Sequence, residues 1–262
     1  MTTLPGASPA PLPPTPHTKS ARIPFLPQVE YAIEAINQAG ACIGLLATDG
    51  VVLVAEKKIT SKLLDAKAVG VKHEKMYQLD HHIACAVAGI TSDANILINS
   101  CRQSAQQYLY TYQNPMPVEQ LVKAVSDKKH AYTQFGGQRP FGISMLYMGW
   151  DKDFGYQLFQ SDPSGNYGGW KASAIGANHQ TATNLLKQDY KEEMSLEEAT
   201  ELGLKTMART MDSTELAVDK LEVATLTRVN DKVVFKIWKE HELQPLLDKV
   251  NQEKKEKDDA EE

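Results

Sequence analysis

Three cysteines, Cys42, Cys85 and Cys101, are the strongest nucleophiles in the sequence. They lie far apart, are odd in number and form no Cys-x-x-Cys pair, so they indicate neither a disulfide framework nor a redox motif. Each falls within an apolar or helical run. This pattern predicts buried thiols and fits a reducing compartment.

The adjacent histidines His81 and His82 raise the question of a metal site. Ligands that share one face of a strand stand two residues apart, because successive side chains point to opposite faces. Adjacent histidines in the polar segment Asp80-His81-His82 are therefore predicted to be exposed to solvent and to bind no metal.

Other chemical motifs are missing from the sequence. It contains no Gly-x-Ser-x-Gly, no phosphate-binding loop and no Gly-x-Gly-x-x-Gly, so no cofactor is indicated. Composition alone leaves a Ser/His/Asp arrangement open. The glycine-rich segment 134–142 contains Gly136, Gly137, Arg139 and Pro140 between a helix and a strand. We predict a structural or subunit-contact loop there, with Arg139 free to anchor a partner.

Composition narrows the class of protein. The chain has 262 residues, enough for one large domain, and a net charge of −5 without a basic patch outside its tail, which disfavours nucleic-acid binding. No apolar run reaches the length of about 20 residues that a membrane span needs.

The two ends of the chain differ from its middle. Residues 1–27 are proline-rich, lack the apolar segment of a secretory signal, and are predicted to be disordered or polyproline-like. The spacing of Pro11 and Pro14 leaves an SH3-type ligand open. Residues 251–262 are highly charged and are predicted to be a mobile tail, so residues 28–250 form the expected domain.

A short helix and a hairpin would position any chemistry near Cys42. Val29, Ala32, Ile33 and Ile36 form an apolar stripe at helical spacing, which predicts a helix over 28–39. Gly40 is expected to end it through a positive φ. Two apolar runs flank Asp49-Gly50 and predict a β-hairpin.

Later segments repeat this alternation of strands and helices. Thr91-Ser92-Asp93 predicts a helix N-cap, and Ser195-x-x-Glu198 predicts a capping box. The full order is one helix, four strands, two helices, about four strands, two helices, two strands and one helix. This order predicts an α+β fold: two antiparallel sheets packed on each other, with helices on both outer faces.

Several long motifs, in the same order, resemble the alpha-type subunits of the 20S proteasome. They are residues 28–32 (Gln-Val-Glu-Tyr-Ala), 88–94 and 132–142. Residues 162–172 and 186–191 narrow the resemblance to one eukaryotic alpha type, which occupies the third position of the alpha ring. The resemblance covers about residues 28–250 and implies an N-terminal-nucleophile hydrolase fold, a four-layer αββα sandwich.

The resemblance also bears on catalysis. In the catalytic beta relatives, processing exposes a threonine at the start of the first strand, whose amine and hydroxyl act as base and nucleophile. The corresponding step here is Gly40-Ala41-Cys42, where Gly40 replaces threonine and Cys42 is internal. No catalytic residue is assigned. A hydrolase processed near Gly40 and a free adaptor that uses its proline-rich lead remain the alternatives.

The resemblance further implies which partners the chain binds and which residues contact them. Gln28, Val29, Glu30 and Tyr31 belong to a helix that contacts other alpha subunits and regulatory particles. Lys75 matches a pocket lysine that pairs with the C-terminal carboxylate of an activator tail, although a plain surface lysine is the alternative. The chain would join a heptameric alpha ring, dock on beta subunits and restrict substrate entry in ubiquitin-dependent degradation, in cytoplasm and nucleus.

One segment departs from the family pattern. Alpha subunits carry a Tyr-Asp-Arg segment ahead of the Gln-Val-Glu-Tyr helix, whereas this chain reads Ala-Arg-Ile-Pro-Phe-Leu-Pro at 21–27. Either the start of the sequence is mis-assigned, which we expect, or this subunit contributes differently to the axial gate. No gate residue is therefore assigned.

Overall fold

A computed structural model describes residues 26–58, 75–135, 137–211 and 216–261. Within them the strands are β1 (Cys42–Leu46), β2 (Gly50–Glu56), β3 (Met76–Asp80), β4 (Ile83–Gly89), β5 (Ile143–Asp151), β6 (Gly155–Ser161), β7 (Tyr167–Gly169), β8 (Ala172–Ile175), β9 (Leu221–Val229) and β10 (Lys232–Ile237). The helices are α1 (Leu26–Asn37), α2 (Thr91–Tyr112), α3 (Val118–Gln134), α4 (His179–Asp189), α5 (Leu196–Thr210) and α6 (Glu240–Glu261).

The strands form two five-stranded sheets, and every pairing in them is antiparallel. The first sheet has the order β10-β9-β2-β1-β8 and the second has the order β3-β4-β5-β6-β7. The predicted hairpin around Asp49-Gly50 is confirmed, with Leu46 opposite Val51 and Ala47 N–H bonded to Gly50 O at 2.9 Å.

Three apolar clusters define four layers. One cluster lies between the sheets and includes Leu53, Ala86 and Leu146. Helices α2 and α3 cover the outer face of the second sheet, and α4 and α5 cover that of the first. The predicted α+β sandwich of two antiparallel sheets is therefore confirmed, because each sheet buries one face against its partner and the other under helices.

Two boundaries differ from the sequence-based prediction. The extended run 167–175 is divided into β7 and β8, which belong to different sheets. The last helix continues past residue 250 to Glu261, and Asn251 bonds both backbone groups of Leu216 at 3.2 Å. Residues 252–261 are mostly Gln, Glu and Lys, which are strong helix formers, so the helix extends into the segment predicted as a tail.

The proline-rich prediction falls mostly on residues 1–25, which are outside the described residues. In the part of the chain that is described, no helix is both long enough and apolar enough to cross a membrane.

Candidate functional site at the start of the first strand

Gly40 connects the end of α1 to the start of β1. It does not have the positive φ that we expected; among the other glycines that the structure describes, five do. A Cβ atom at Gly40 would lie 2.6 Å from Glu56 O and 2.9 Å from Lys75 Nζ. The glycine is therefore required by close packing of backbone against backbone, and not by a left-handed conformation.

Lys75 directly precedes β3 of the second sheet and contacts Gly40. Its Nζ donates to Gly40 O at 2.5 Å, and its backbone N–H donates to Glu222 Oε2 at 2.9 Å. The Lys75 carbonyl accepts from Val87 N–H at 3.0 Å. Within the single chain, the half-buried ammonium is thus held against the step that precedes β1.

Glu56 completes the cluster from the end of β2. Its side chain accepts from Ala41 N–H at 3.0 Å, and its own backbone N–H donates to Ala41 O at 2.8 Å. A carboxylate and an ammonium thus converge on the start of β1. Such groups could orient an amine and a hydroxyl there, but here they bind main-chain atoms of Gly40 and Ala41.

Cys42 follows directly and is completely buried. Its Sγ donates to Val87 O at 3.4 Å. Burial raises the pKa of the Cys42 thiol, although nearby Lys75 acts in the opposite direction. Because the thiolate is the nucleophile, a thiol held in the protonated form is inert. Cys85 and Cys101 are also buried and free, and burial raises the pKa of Cys101 to about 12, so the prediction of buried thiols is confirmed.

Helix α1 precedes this site in the chain and presents a surface of its own. It contacts β4 and β5, and Ile36 reaches the core between the sheets. At its other end Gln28 and Glu30 are exposed, and Val29 is half-buried. Tyr31 is 69% exposed, which leaves a large aromatic side chain available for contact. The role of residues 28–31 in subunit contact stays a prediction.

The glycine-rich loop is held by an ion pair that the sequence did not reveal. Gly136 lies outside the described residues, Gly137 has a φ of +96°, and Pro140 is buried. Arg139 donates two hydrogen bonds to the Asp93 carboxylate, at 2.7 and 2.8 Å. Asp93 Oδ2 also accepts from Gly142 N–H at 2.9 Å. The prediction that Arg139 is free to anchor a partner is therefore wrong.

Asp93 was expected to help cap α2, and this prediction is also wrong. The N-cap residue is Ile90, and no side chain caps the helix there. Burial by itself raises the pKa of Asp93, but the hydrogen bonds from Arg139 and Gly142 outweigh it and hold that pKa below its usual value. The capping box of Ser195 and Glu198 at α5 is confirmed.

His81 and His82 lie in the turn between β3 and β4. His81 is exposed, as predicted, but His82 is only 3% exposed, so the prediction of a solvent-exposed pair is wrong for His82. Its Nε2 lies 2.8 Å from the backbone oxygen of Met116, two residues before α3, and this contact draws the ring inward.

Comparisons with known proteins cover most of the chain. A family model described as "Proteasome subunit" matches residues 36–226. A spinach (Spinacia oleracea) protein named "Proteasome subunit alpha type-4" is 58% identical over 221 residues, which is 84% of this chain and 87% of the relative. An Arabidopsis thaliana protein named "Proteasome subunit alpha type-4-A" is 60% identical over 207 residues, 79% of this chain and 82% of the relative. These names denote the alpha type that residues 162–172 and 186–191 resemble.

Proposed function

The chain belongs to the proteasome subunit family, and on this premise we propose that it is a non-catalytic alpha-type subunit of the 20S core. Its work would be structural: to form part of the alpha ring, to receive activators and to restrict the entry of substrates in ubiquitin-dependent protein degradation. Peptide hydrolysis would belong to other subunits of the particle.

One observation carries the non-catalytic assignment. The position that would hold a nucleophile is Gly40, which lacks a hydroxyl and leaves no room for a Cβ. Its carbonyl is bound by Lys75, and the chain continues upstream into α1 without a free α-amine. An N-terminal nucleophile needs both groups, since the amine serves as its base.

The proposed partners follow from the same premise. They are the other alpha subunits of a heptameric ring, the beta subunits below it, and the C-terminal tails of activators or of the regulatory particle. The exposed side chains of Gln28, Glu30 and Tyr31 on α1 support a contact surface there. Cytoplasm and nucleus are the proposed locations, which suits a chain whose described cysteines are unpaired thiols.

The first test is catalytic. The purified chain should not hydrolyse fluorogenic peptides, because no activated nucleophile lies at the start of β1. The same preparation, added to the remaining subunits, should enter a particle that does hydrolyse them. Intact-mass measurement is the control, since it reports whether the chain still begins upstream of Gly40. Hydrolysis by a chain that begins at or near Gly40 would instead support a processed hydrolase.

The second test concerns Lys75. An ammonium has three N–H donors, so the bond to Gly40 O leaves capacity for an incoming carboxylate. In an assembled particle, Lys75→Ala should weaken the binding of an activator tail by about tenfold or more, as loss of a hydrogen bond between charged groups does. Ring assembly should be unchanged on native gels.

Lys58→Ala is the matched control for Lys75→Ala. Lys58 Nζ binds a neighbouring carbonyl, Gln38 O, at 2.7 Å, so both substitutions remove a lysine that holds the end of α1. Equal activator affinity in the two variants would assign Lys75 a purely structural role. A selective loss in Lys75→Ala would support the pocket.

A further inference from the structure

The turn between β3 and β4 places three potential metal ligands together. Asp80 pairs with Ile83, so His81 and His82 alone form the turn, and the strand register shifts between Gln78 and Asp80. The alternation of side chains that holds along a strand does not hold through a two-residue turn. The two imidazole rings therefore lie near each other, with their centroids 4.5 Å apart.

The hydrogen bonding of His82 determines which nitrogen carries its proton. Nε2 lies 2.8 Å from Met116 O, and a carbonyl oxygen only accepts, so Nε2 carries the hydrogen. In the neutral ring with Nε2 protonated, Nδ1 carries no hydrogen. Nδ1 then holds a lone pair.

That lone pair faces a carboxylate. His82 Nδ1 and Asp80 Oδ2 are 3.5 Å apart, and both are buried atoms without a hydrogen-bond partner among the residues that the structure describes. The side chains of Asp80 and His82 are 6% and 3% exposed, so water does not screen the pair. Two buried acceptors that face each other repel, and a cation between them would satisfy both.

We propose that Asp80, His81 and His82 bind one divalent transition-metal cation of the zinc class. One donor atom from each residue lies within 4.8 Å of the others. Donors at about 2.0–2.1 Å from a tetrahedral zinc ion are about 3.4 Å apart, close to the 3.5 Å between His82 Nδ1 and Asp80 Oδ2. Two imidazoles and one carboxylate form a donor set that suits zinc.

The surroundings of the three side chains fit this role. A metal-binding histidine usually donates its second N–H to a carbonyl or carboxylate, as His82 does to Met116 O. Asp80 Oδ1 accepts from His81 N–H at 2.7 Å, which orients the carboxylate. His81 is 60% exposed and supplies a path from solvent, and a fourth position is left for water or a partner's side chain.

The test uses the full chain, freed of metal by dialysis against a chelator. Titration with Zn²⁺ in a calorimeter should give one saturable site, and Co²⁺ should give the intense visible absorption of a tetrahedral complex. His81→Ala should weaken Zn²⁺ binding by about tenfold or more and abolish that absorption. His81 is exposed, so its removal should leave the fold intact.

His241→Ala is the control, because it removes an exposed histidine on α6 far along the chain from the turn. The control should bind Zn²⁺ as the unchanged chain does. Equal affinities in His81→Ala and the unchanged chain would overturn the proposal, as would the absence of a saturable site. Nitrogen NMR supplies a second readout: two protonated ring nitrogens on His82 at neutral pH would show that an imidazolium already neutralises Asp80.

Discussion

Lys129→Met is expected to remove a rise in stability that the unchanged chain shows between pH 7 and pH 9. Lys129 lies on α3 and is completely buried, and its Nζ donates to Ser161 Oγ at 2.8 Å and to Ile143 O at 3.1 Å. Desolvation lowers the pKa of Lys129 from 10.5 to about 7, because a charged ammonium in this site loses its hydration.

The sign of the effect follows from proton binding in the two states. Above pH 7 the folded chain holds Lys129 neutral, whereas the unfolded chain keeps its lysine protonated up to about 10.5. The unfolded state therefore binds more protons, and the free energy of unfolding rises with pH by up to about 1.4 kcal/mol per unit. Below pH 7 both states are protonated, and the full cost of burying the charge opposes folding.

Neighbouring groups limit the pH window. Asp162, Cys85 and Cys101 interact electrostatically with Lys129. The pKa of the Tyr147 phenol, which contacts Ser161, is raised by burial, as are those of both thiols. A group whose pKa is raised by folding lowers the free energy of unfolding as the pH rises above the group's usual pKa. This opposes the lysine effect above about pH 9.

Denaturant unfolding at several pH values measures this prediction. Methionine matches the length of lysine without its charge. Loss of the two hydrogen bonds lowers the free energy of unfolding by about 1 kcal/mol each at every pH. The readout is therefore the slope of the free energy of unfolding against pH. Lys128→Met is the control, since Lys128 is next to Lys129 on α3 and donates to Ser100 Oγ. The same slope in Lys129→Met and the unchanged chain would contradict the assigned pKa.

Asp93→Ala is expected to destabilise the chain by about 2–4 kcal/mol. The substitution removes the bidentate ion pair with Arg139 and leaves the buried Gly142 N–H without its acceptor. Hydrogen bonds to charged groups contribute about 1.5–3 kcal/mol, and an unsatisfied buried donor costs about 1–3 kcal/mol. Because Arg139 is 61% exposed, water screens its charge, and the ion pair contributes less to the free energy of unfolding than a buried pair would.

The pH dependence of this effect has the same direction as that of Lys129, because folding lowers both pKa values, but it falls in the acid range. The pKa of Asp93 is lower in the folded chain than its usual 3.8, so the stabilisation is fully present above that value. It is lost as the pH falls through the folded pKa. The difference in stability between Asp93→Ala and the unchanged chain should therefore shrink in acid.

Asp127→Ala is the control for Asp93→Ala. Asp127 forms an exposed ion pair with Lys123, one helical turn away, at 2.7 Å. Exposed pairs of this kind contribute little to stability, because water screens the two charges. Similar losses in the two variants, measured by denaturant unfolding near neutral pH, would contradict the claim that Asp93 joins α2 to the glycine-rich loop.

Local patterns in the sequence determined most of the architecture. The hairpin around Asp49-Gly50, the capping box at Ser195 and the order of helices and strands depend on residues that are close in the chain. The missing nucleophile at Gly40 could be predicted only through the family resemblance, which places Gly40 where the catalytic relatives have threonine. The resemblance carried by long motifs then indicated the family.

Only the tertiary structure decided which distant groups meet. Arg139 and Asp93 are 46 residues apart in sequence, and Lys75 and Gly40 are 35 apart, so no short pattern joins either pair. His82 was predicted to be exposed because a turn near charged residues usually is, yet the carbonyl of Met116 draws its ring into the interior. Sequence periodicity reports which side of an element is apolar, but burial, protonation and ion pairing depend on what packs against that side.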